Sequence, residues 1–194
     1  MTPEVEVVVI TYRSSDHLAA CLEALHGYRI LVIDNASDDD STAVARSGGC
    51  RVVANHHNLG FARAVNQAMA LTTAPLVAFV NPDAVVDQHA IANLTLAMSD
   101  DVGVVAARLE TPSGSPQRPD WPFPSAAAHW REAFGLHPRY HHQAEDAAPY
   151  DVESVVGACM LIRRHAFNAV GGFDERFWLY GEETCLLYTS PSPR

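Results

Sequence analysis

The chain contains no lysine, and all 13 of its basic residues are arginine. That absence excludes a P-loop lysine on phosphates, a Schiff-base lysine for a carbonyl or pyridoxal cofactor, and a lysine track along a nucleic-acid backbone. With a formal net charge of -10, no nucleic-acid partner is expected. Cys21, Cys50, Cys159 and Cys185 form no Cys-x-x-Cys pair, which removes a zinc ribbon or dithiol motif and leaves free thiols of a reducing cytoplasm. No Gly-x-Gly-x-x-Gly follows the first strand-like run, so a dinucleotide site loses its main support. Met1 to Ile10 carries two Glu and no basic lead-in, unlike a secretory signal. No apolar run approaches the roughly 18 residues that span a bilayer. Any membrane contact would have to be peripheral.

At 194 residues and 48% hydrophobic, the chain can build one well-filled core. Val5 to Thr11 is a β-branched run suited to a strand buried on both faces. Leu18, Cys21, Leu22 and Leu25 then fall at helical spacing before Gly27. The unit recurs: a strand at Ile30 to Ile33, a helix at Ser41 to Ser47, a strand at Arg51 to Ala54, a helix from about Gly60 to Leu71 and a strand at Leu76 to Val80. A helix capped by Asp87 and a strand at Val102 to Ala107 come next. Strands alternating with short helices predict an α/β, doubly wound sheet. Residues 110–150 hold seven of the twelve prolines and four histidines with little periodicity. They read as an irregular insertion or an acceptor loop. A strand region resumes at Val152 to Arg163, then a short helix from Arg164 to Val170.

Ligands of open α/β sheets bind at the carboxyl ends of the strands. The turns there are Thr11-Tyr12-Arg13, Asp34-Asn35-Ala36-Ser37-Asp38-Asp39 and Asn81-Pro82-Asp83. Each has a plain structural reading: an Asx-turn at Asp34 or Asn35, a simple strand exit at Asn81-Pro82, a helix cap at Asn58. The histidines at 56, 57, 137, 141 and 142 read as solvated loop residues, and none is assigned to a metal.

Taken in order, the motifs resemble family-2 glycosyltransferases of the rhamnosyltransferase-like subgroup, from about Val5 to Glu183. They are Val9-Ile10-Thr11-Tyr12, the Asp34 to Asp39 loop, Asn58-Leu59-Gly60-Phe61-Ala62 continuing through Ala64 to Asn66, Asn81-Pro82-Asp83, Gly157-Ala158 with Arg163-Arg164, Gly171-Gly172-Phe173-Asp174-Glu175, and Tyr180-Gly181-Glu182-Glu183. The resemblance implies a GT-A fold, a Rossmann-like, mostly parallel sheet with helices on both faces, over residues 1–184. It implies an inverting transfer of a sugar, with L-rhamnose from thymidine-diphosphate-rhamnose the best-matched donor. The acceptor would be a glycan or polyprenyl-linked intermediate of the bacterial envelope.

Residue by residue, the resemblance implies that Asp34 or Asn35 reads the base and that Thr11 and Tyr12 wall the pocket. Asn58, Gly60 and Asn81 would lie around the nucleotide sugar, with Asp174 near the sugar. Asp83 would hold Mg²⁺ or Mn²⁺ together with the substrate phosphates. Of the acidic pair, Glu183 stands where the family has its Asp and is the preferred general base, with Glu182 the alternative.

The chain departs from the family after this pair. Cys185 stands where an Asp is expected, and Pro191 and Pro193 interrupt a continuing helix. Residues 185–194 are therefore expected to be a non-native or disordered tail of a truncated reading frame. The second functional class is accordingly a non-catalytic nucleotide-sugar-binding fragment.

Overall fold

The computed structural model describes residues 4–87, 89–118, 120, 121, 123, 125, 130, 134, 148–179 and 181–189. Most of the proline-rich insertion, with His137, His141 and His142, and the end of the expected tail at 190–194 lie outside the described residues.

Six strands form the central sheet: β1 (Val5–Thr11), β2 (Arg29–Asp34), β3 (Arg51–Ala54), β4 (Leu76–Val80), β5 (Val104–Ala106) and, late in the chain, β10 (Cys159–Arg163). Their order is β3-β2-β1-β4-β10-β5. β1 to β4 are mutually parallel, and β10 runs antiparallel to both β4 and β5. Two short ladders, β6 (Leu109–Glu110) with β7 (Pro116–Gln117) and β8 (Asp120–Trp121) with β9 (Ser154–Val155), lie outside it. The expected α/β sheet is present. The strand region after the insertion contributes β10, which separates β5 from β4.

Strand periodicity explains the two layers of helices. Successive side chains of a strand point to opposite faces, so Val7 and Val9 face one core and Val8 the other. On the first face α1 (Ser15–Ala24), α2 (Ser41–Ser47) and α4 (Ala90–Ala97) bring Leu18, Cys21, Ala45, Ile91 and Leu94. On the second, α3 (Phe61–Leu71), α5 (Arg164–Ala169) and α6 (Glu182–Thr189) bring Val65, Ala68, Phe167 and Leu186. Each fully buried Leu, Ile or Phe contributes roughly 1.5–3 kcal/mol, so both faces are needed to offset the entropy of ordering the chain.

Two consecutive arginines fasten β10 in place. Arg163 donates to the carbonyls of Met98, Ser99 and Val102 at 3.2, 2.7 and 2.9 Å, covering the end of α4. Arg164 donates at 2.7 Å to the carbonyls of Met69 and Ala74 and to Thr72 Oγ1, covering the end of α3. A cation at a helix C-terminus meets the orphan carbonyls and the negative end of the dipole.

In α6, Leu186 is buried against the core and the Ser154 and Thr184 hydroxyls are 2.9 Å apart. Pro191 and Pro193 fall beyond its last residue.

Candidate active site

The loops after β1 and β2 are stapled to each other. Arg13 donates from its backbone to Ser37 Oγ at 2.9 Å and from its guanidinium to both oxygens of Asp38 at 2.6 and 2.7 Å. Ser14 N–H meets Ser41 Oγ at 2.9 Å, and Ser15 N–H meets Asp39 Oδ2 at 3.1 Å. The bond from Ser41, then those from the backbone N–H groups of Ser15 and Ser41, hold the Asp39 carboxyl far below the usual carboxylate range. Arg13 also lies 5.1 Å from the centroid of the Tyr12 ring, which is 43% exposed.

Between these loops stand two polar atoms with no hydrogen-bond partner among the described residues, Thr11 Oγ1 and Asp34 Oδ1. Both residues are buried, and they face each other in the β1–β2 register. The second Asp34 oxygen accepts from Ser37 N–H at 3.1 Å, so the Asx-turn forms and still leaves one acceptor open. Buried polar atoms are normally satisfied, and an open pair at the carboxyl ends of two parallel strands fits a ligand that supplies the missing bonds.

Asn35 is in a different position. Its amide nitrogen donates to Asn58 Oδ1 at 2.9 Å and to the Gly60 carbonyl at 3.3 Å. Its oxygen accepts from Leu59 N–H at 3.0 Å and from Asn55 Nδ2 at 3.3 Å. Both donors and both lone pairs of the amide are used. Asn55 and Gln67 exchange reciprocal amide bonds at 3.0 and 2.9 Å, tying the ladder to α3. Of the pair expected to read the base, Asp34 alone keeps an open acceptor. Asn35 braces the loop, and Asn58, which also accepts from Gly60 N–H at 2.8 Å, closes the turn. Asn35→Asp would set a carboxylate oxygen against two acceptors. We expect a loss of ~1–3 kcal/mol, seen as a melting temperature lower by about 3–10 °C. An unchanged melting temperature would mean that the ladder does not brace the loop.

Asn81-Pro82-Asp83 leaves β4 into the same end of the sheet. The Asn81 carbonyl accepts from Ala84 N–H at 3.1 Å and from the Cys21 thiol at 3.4 Å. Burial, and after it the Asp83 charge, pushes the Cys21 thiol up to about 12, so it remains a protonated donor. The Asp83 side chain is exposed and has no hydrogen bond or ion pair among the described residues. A lone, solvated carboxylate at a strand end fits an ion that keeps waters and takes few protein ligands. Among the described residues no three His, Cys, Asp or Glu side chains cluster as a self-sufficient metal cage.

Asn81 N–H donates to the Ala158 carbonyl at 2.9 Å, because β10 pairs Cys159 with Val80 of β4. One residue earlier is Gly157, and a Cβ placed there would collide with the Glu183 carboxylate. Glu183, in the first turn of α6, therefore rests on bare backbone one residue from the peptide bonded to Asn81. The Glu182 side chain lies outside what the structure describes. Asp174 is engaged by its own neighbour: Arg176 Nε lies 3.0 Å from each Asp174 oxygen and its terminal nitrogen 2.5 Å from Oδ2. Those bonds lower its carboxyl to about 2.

Gly60 and Trp178 bring the last segment to this end. Phe61 N–H donates to the Trp178 carbonyl at 2.9 Å. Gly60, at φ +81°, has no room for a side chain, since a Cβ would stand 2.8 Å from that same oxygen. The motif around Gly60 was legible in the sequence, but its distant partner at Trp178 was not.

A family model described as glycosyl transferase family 2 matches residues 6–171. An N-acetylglucosaminyl-diphospho-decaprenol L-rhamnosyltransferase of Mycobacterium tuberculosis is 29% identical over an alignment covering 96% of this chain and 70% of that protein. The low-salt glycan biosynthesis hexosyltransferase Agl10 of Haloferax volcanii is 22% identical, with 97% of this chain and 62% of that protein covered. Among solved structures, the mannosyltransferase PcManGT of Pyrobaculum calidifontis, in complex with GDP-Man and Mn²⁺, superposes with a TM-score of 0.66 at 18% identity. That match covers 96% of this chain and 51% of the other. S. aureus TarS in complex with UDP-GlcNAc gives 0.64 at 15% identity, covering 96% and 53%. At such identities the likeness is one of fold, and the fold is the GT-A type. The chain spans about half the length of either solved protein.

Proposed function

The chain belongs to glycosyl transferase family 2, and from that premise we propose that it transfers a sugar from a nucleoside diphosphate to a hydroxyl acceptor with inversion at the anomeric carbon. The observation that supports the proposal is that the Asn81–Ala158 bond ties the turn bearing Asp83 to the segment on which Glu183 rests at Gly157, at the same end of the sheet as the unpartnered oxygen of Asp34. In the reaction the acceptor hydroxyl gives its proton to the Glu183 carboxylate as its oxygen attacks the anomeric carbon. The bond from that carbon to the diphosphate breaks on the opposite face, and its electron pair leaves with the nucleoside diphosphate. Asp83 would hold a Mg²⁺ or Mn²⁺ ion, which when bound neutralises charge on the departing diphosphate. Thr11 and Tyr12 wall the nucleotide pocket.

Asp34 reads the base. Its open oxygen is an acceptor; set opposite the ring nitrogen of the pairing edge it would take the N3–H of thymine, whereas adenine and cytosine present a bare acceptor nitrogen there and carry their amino N–H groups to one side. Thymidine-diphosphate-rhamnose suits this preference and the name of the mycobacterial relative, whose N-acetylglucosaminyl-diphospho-polyprenol acceptor is the first to assay. Such an acceptor would bring the protein to a membrane surface. No helix among the described residues is long and apolar enough to cross one.

Titration of thymidine, cytidine and adenosine diphosphates with Mn²⁺ tests the reading. Asp34→Ala is expected to weaken thymidine diphosphate by ~10- to 100-fold, the worth of a hydrogen bond to a charged group, and to abolish its advantage over the other two. A uniform loss for all three bases would refute base reading by Asp34. Tight nucleotide binding with no transfer would favour the second reading, a non-catalytic nucleotide-sugar-binding chain.

A further inference from the structure

We infer that Asn66 is a positioning residue that registers the strap of residues 172–178, and through it Glu183, against α3. The inference rests on the reading of Glu183 as the base.

Asn66, half-buried on α3, donates from Nδ2 to the Phe173 carbonyl at 3.0 Å and accepts from Phe173 N–H at Oδ1, also at 3.0 Å. One side chain thus pairs with a main-chain residue through both its groups, as a neighbouring strand would. The fit is close, because Gly172, at φ +82°, would place a Cβ 2.8 Å from the Asn66 oxygen. Asn66 Nδ2 also reaches Glu175 Oε1 at 3.2 Å, and Arg63 pairs with the other oxygen of Glu175 at 3.2 Å. At the start of α3, Phe61 N–H holds the Trp178 carbonyl. The strap is therefore fixed at both ends on one helix, whose first turn continues from the Asn58–Gly60 loop braced by Asn35 beside Asp34.

The helix after the strap depends on such a lead-in. α6 has eight residues, and a helix of that length has little stability of its own. Leu186 is its one buried side chain among those described. Leu186 and the Ser154–Thr184 hydroxyl pair seat it from one side; from the other its place is set by how the preceding chain is delivered, and Asn66 is the side chain that pairs that chain with α3 through both its amide groups.

The test uses Asn66→Ala and Asn66→Asp in the full chain. Asp keeps the size and the acceptor but turns a second oxygen toward the Phe173 carbonyl, so both variants should behave alike. Hydrogen exchange by mass spectrometry should show faster exchange confined to residues 172–187. Thymidine diphosphate affinity with Mn²⁺ should stay within about twofold, while kcat for transfer should fall ~10- to 100-fold, as expected of a displaced catalytic group. A merely structural role would lower the melting temperature without separating kcat from donor affinity. Should Asn66→Ala fail to fold, Gly172→Ala presses the same contact from the other side and should give the same split. Unchanged exchange in the strap, unchanged kcat, or a parallel loss of nucleotide binding would each overturn the inference. Full turnover in Glu183→Gln would refute the base assignment, and with it the purpose given to Asn66. The exchange measurement would then still report on the clamp itself.

Discussion

Glu183→Gln should lower transfer by ~10²- to 10⁴-fold, the usual contribution of a positioned general base, with donor affinity almost unchanged. The amide keeps the size of the carboxylate and its seat on Gly157, but it cannot take the acceptor proton. A loss in kcat without a matching change in donor binding is the signature of an interaction used only in the transition state. Gly157→Ala approaches the same group without altering its chemistry, since the added methyl would occupy the space of the carboxylate. It should likewise lower kcat. Single-turnover measurements on both variants decide the matter, and turnover within a few fold of the parent in both would reduce Glu183 to a favourable charge in the first turn of α6.

Asp83→Asn should remove the dependence of nucleoside diphosphate binding on Mn²⁺ and reduce transfer by roughly 10²-fold or more, the equivalent of several kcal/mol of charge stabilisation. The physical reason is that two phosphates beside Asp83 repel it unless a cation stands between them. Titration with Mn²⁺ and with chelator separates the arms. The parent should bind more tightly with the ion, and the variant should bind equally in both. Equal affinity of the parent in chelator and in Mn²⁺ would refute the metal role.

The sheet and most helices were legible because their signals are local. Val5 to Thr11 and Leu76 to Val80 are apolar runs of strand length, and Phe61, Val65 and Ala68 mark one face of α3. The order of the loops that supply Asp34, Asp83 and Glu183 was legible from their motifs. What stayed hidden depends on partners distant in sequence. Nothing near Asn66 announces Phe173, nothing near Arg164 announces the end of α3, and the antiparallel entry of β10 beside β4 has no local mark. That Asn35 spends its amide on the loop while Asp34 keeps an unpartnered oxygen was equally invisible. Both suit a turn and both suit a base, and only the full set of amide partners around Asn35 shows which of them is spent.

The place of β10 between β4 and β5 also bears on how the molecule is made. During synthesis residues 81–158 emerge after β4 and before its neighbour exists, so the growing chain carries an open strand edge, a template for pairing with other chains. β5 emerges earlier but joins the sheet only through β10, so it waits too. Contacts that span so much sequence form slowly. Asp34 and Asp83 are therefore translated early, yet Asn81 acquires its partner carbonyl at Ala158 only when the last strand arrives. Closure of the aggregation-prone edge and the pairing of Asn81 are one and the same folding event, and the helix that bears Glu183 can dock only after it.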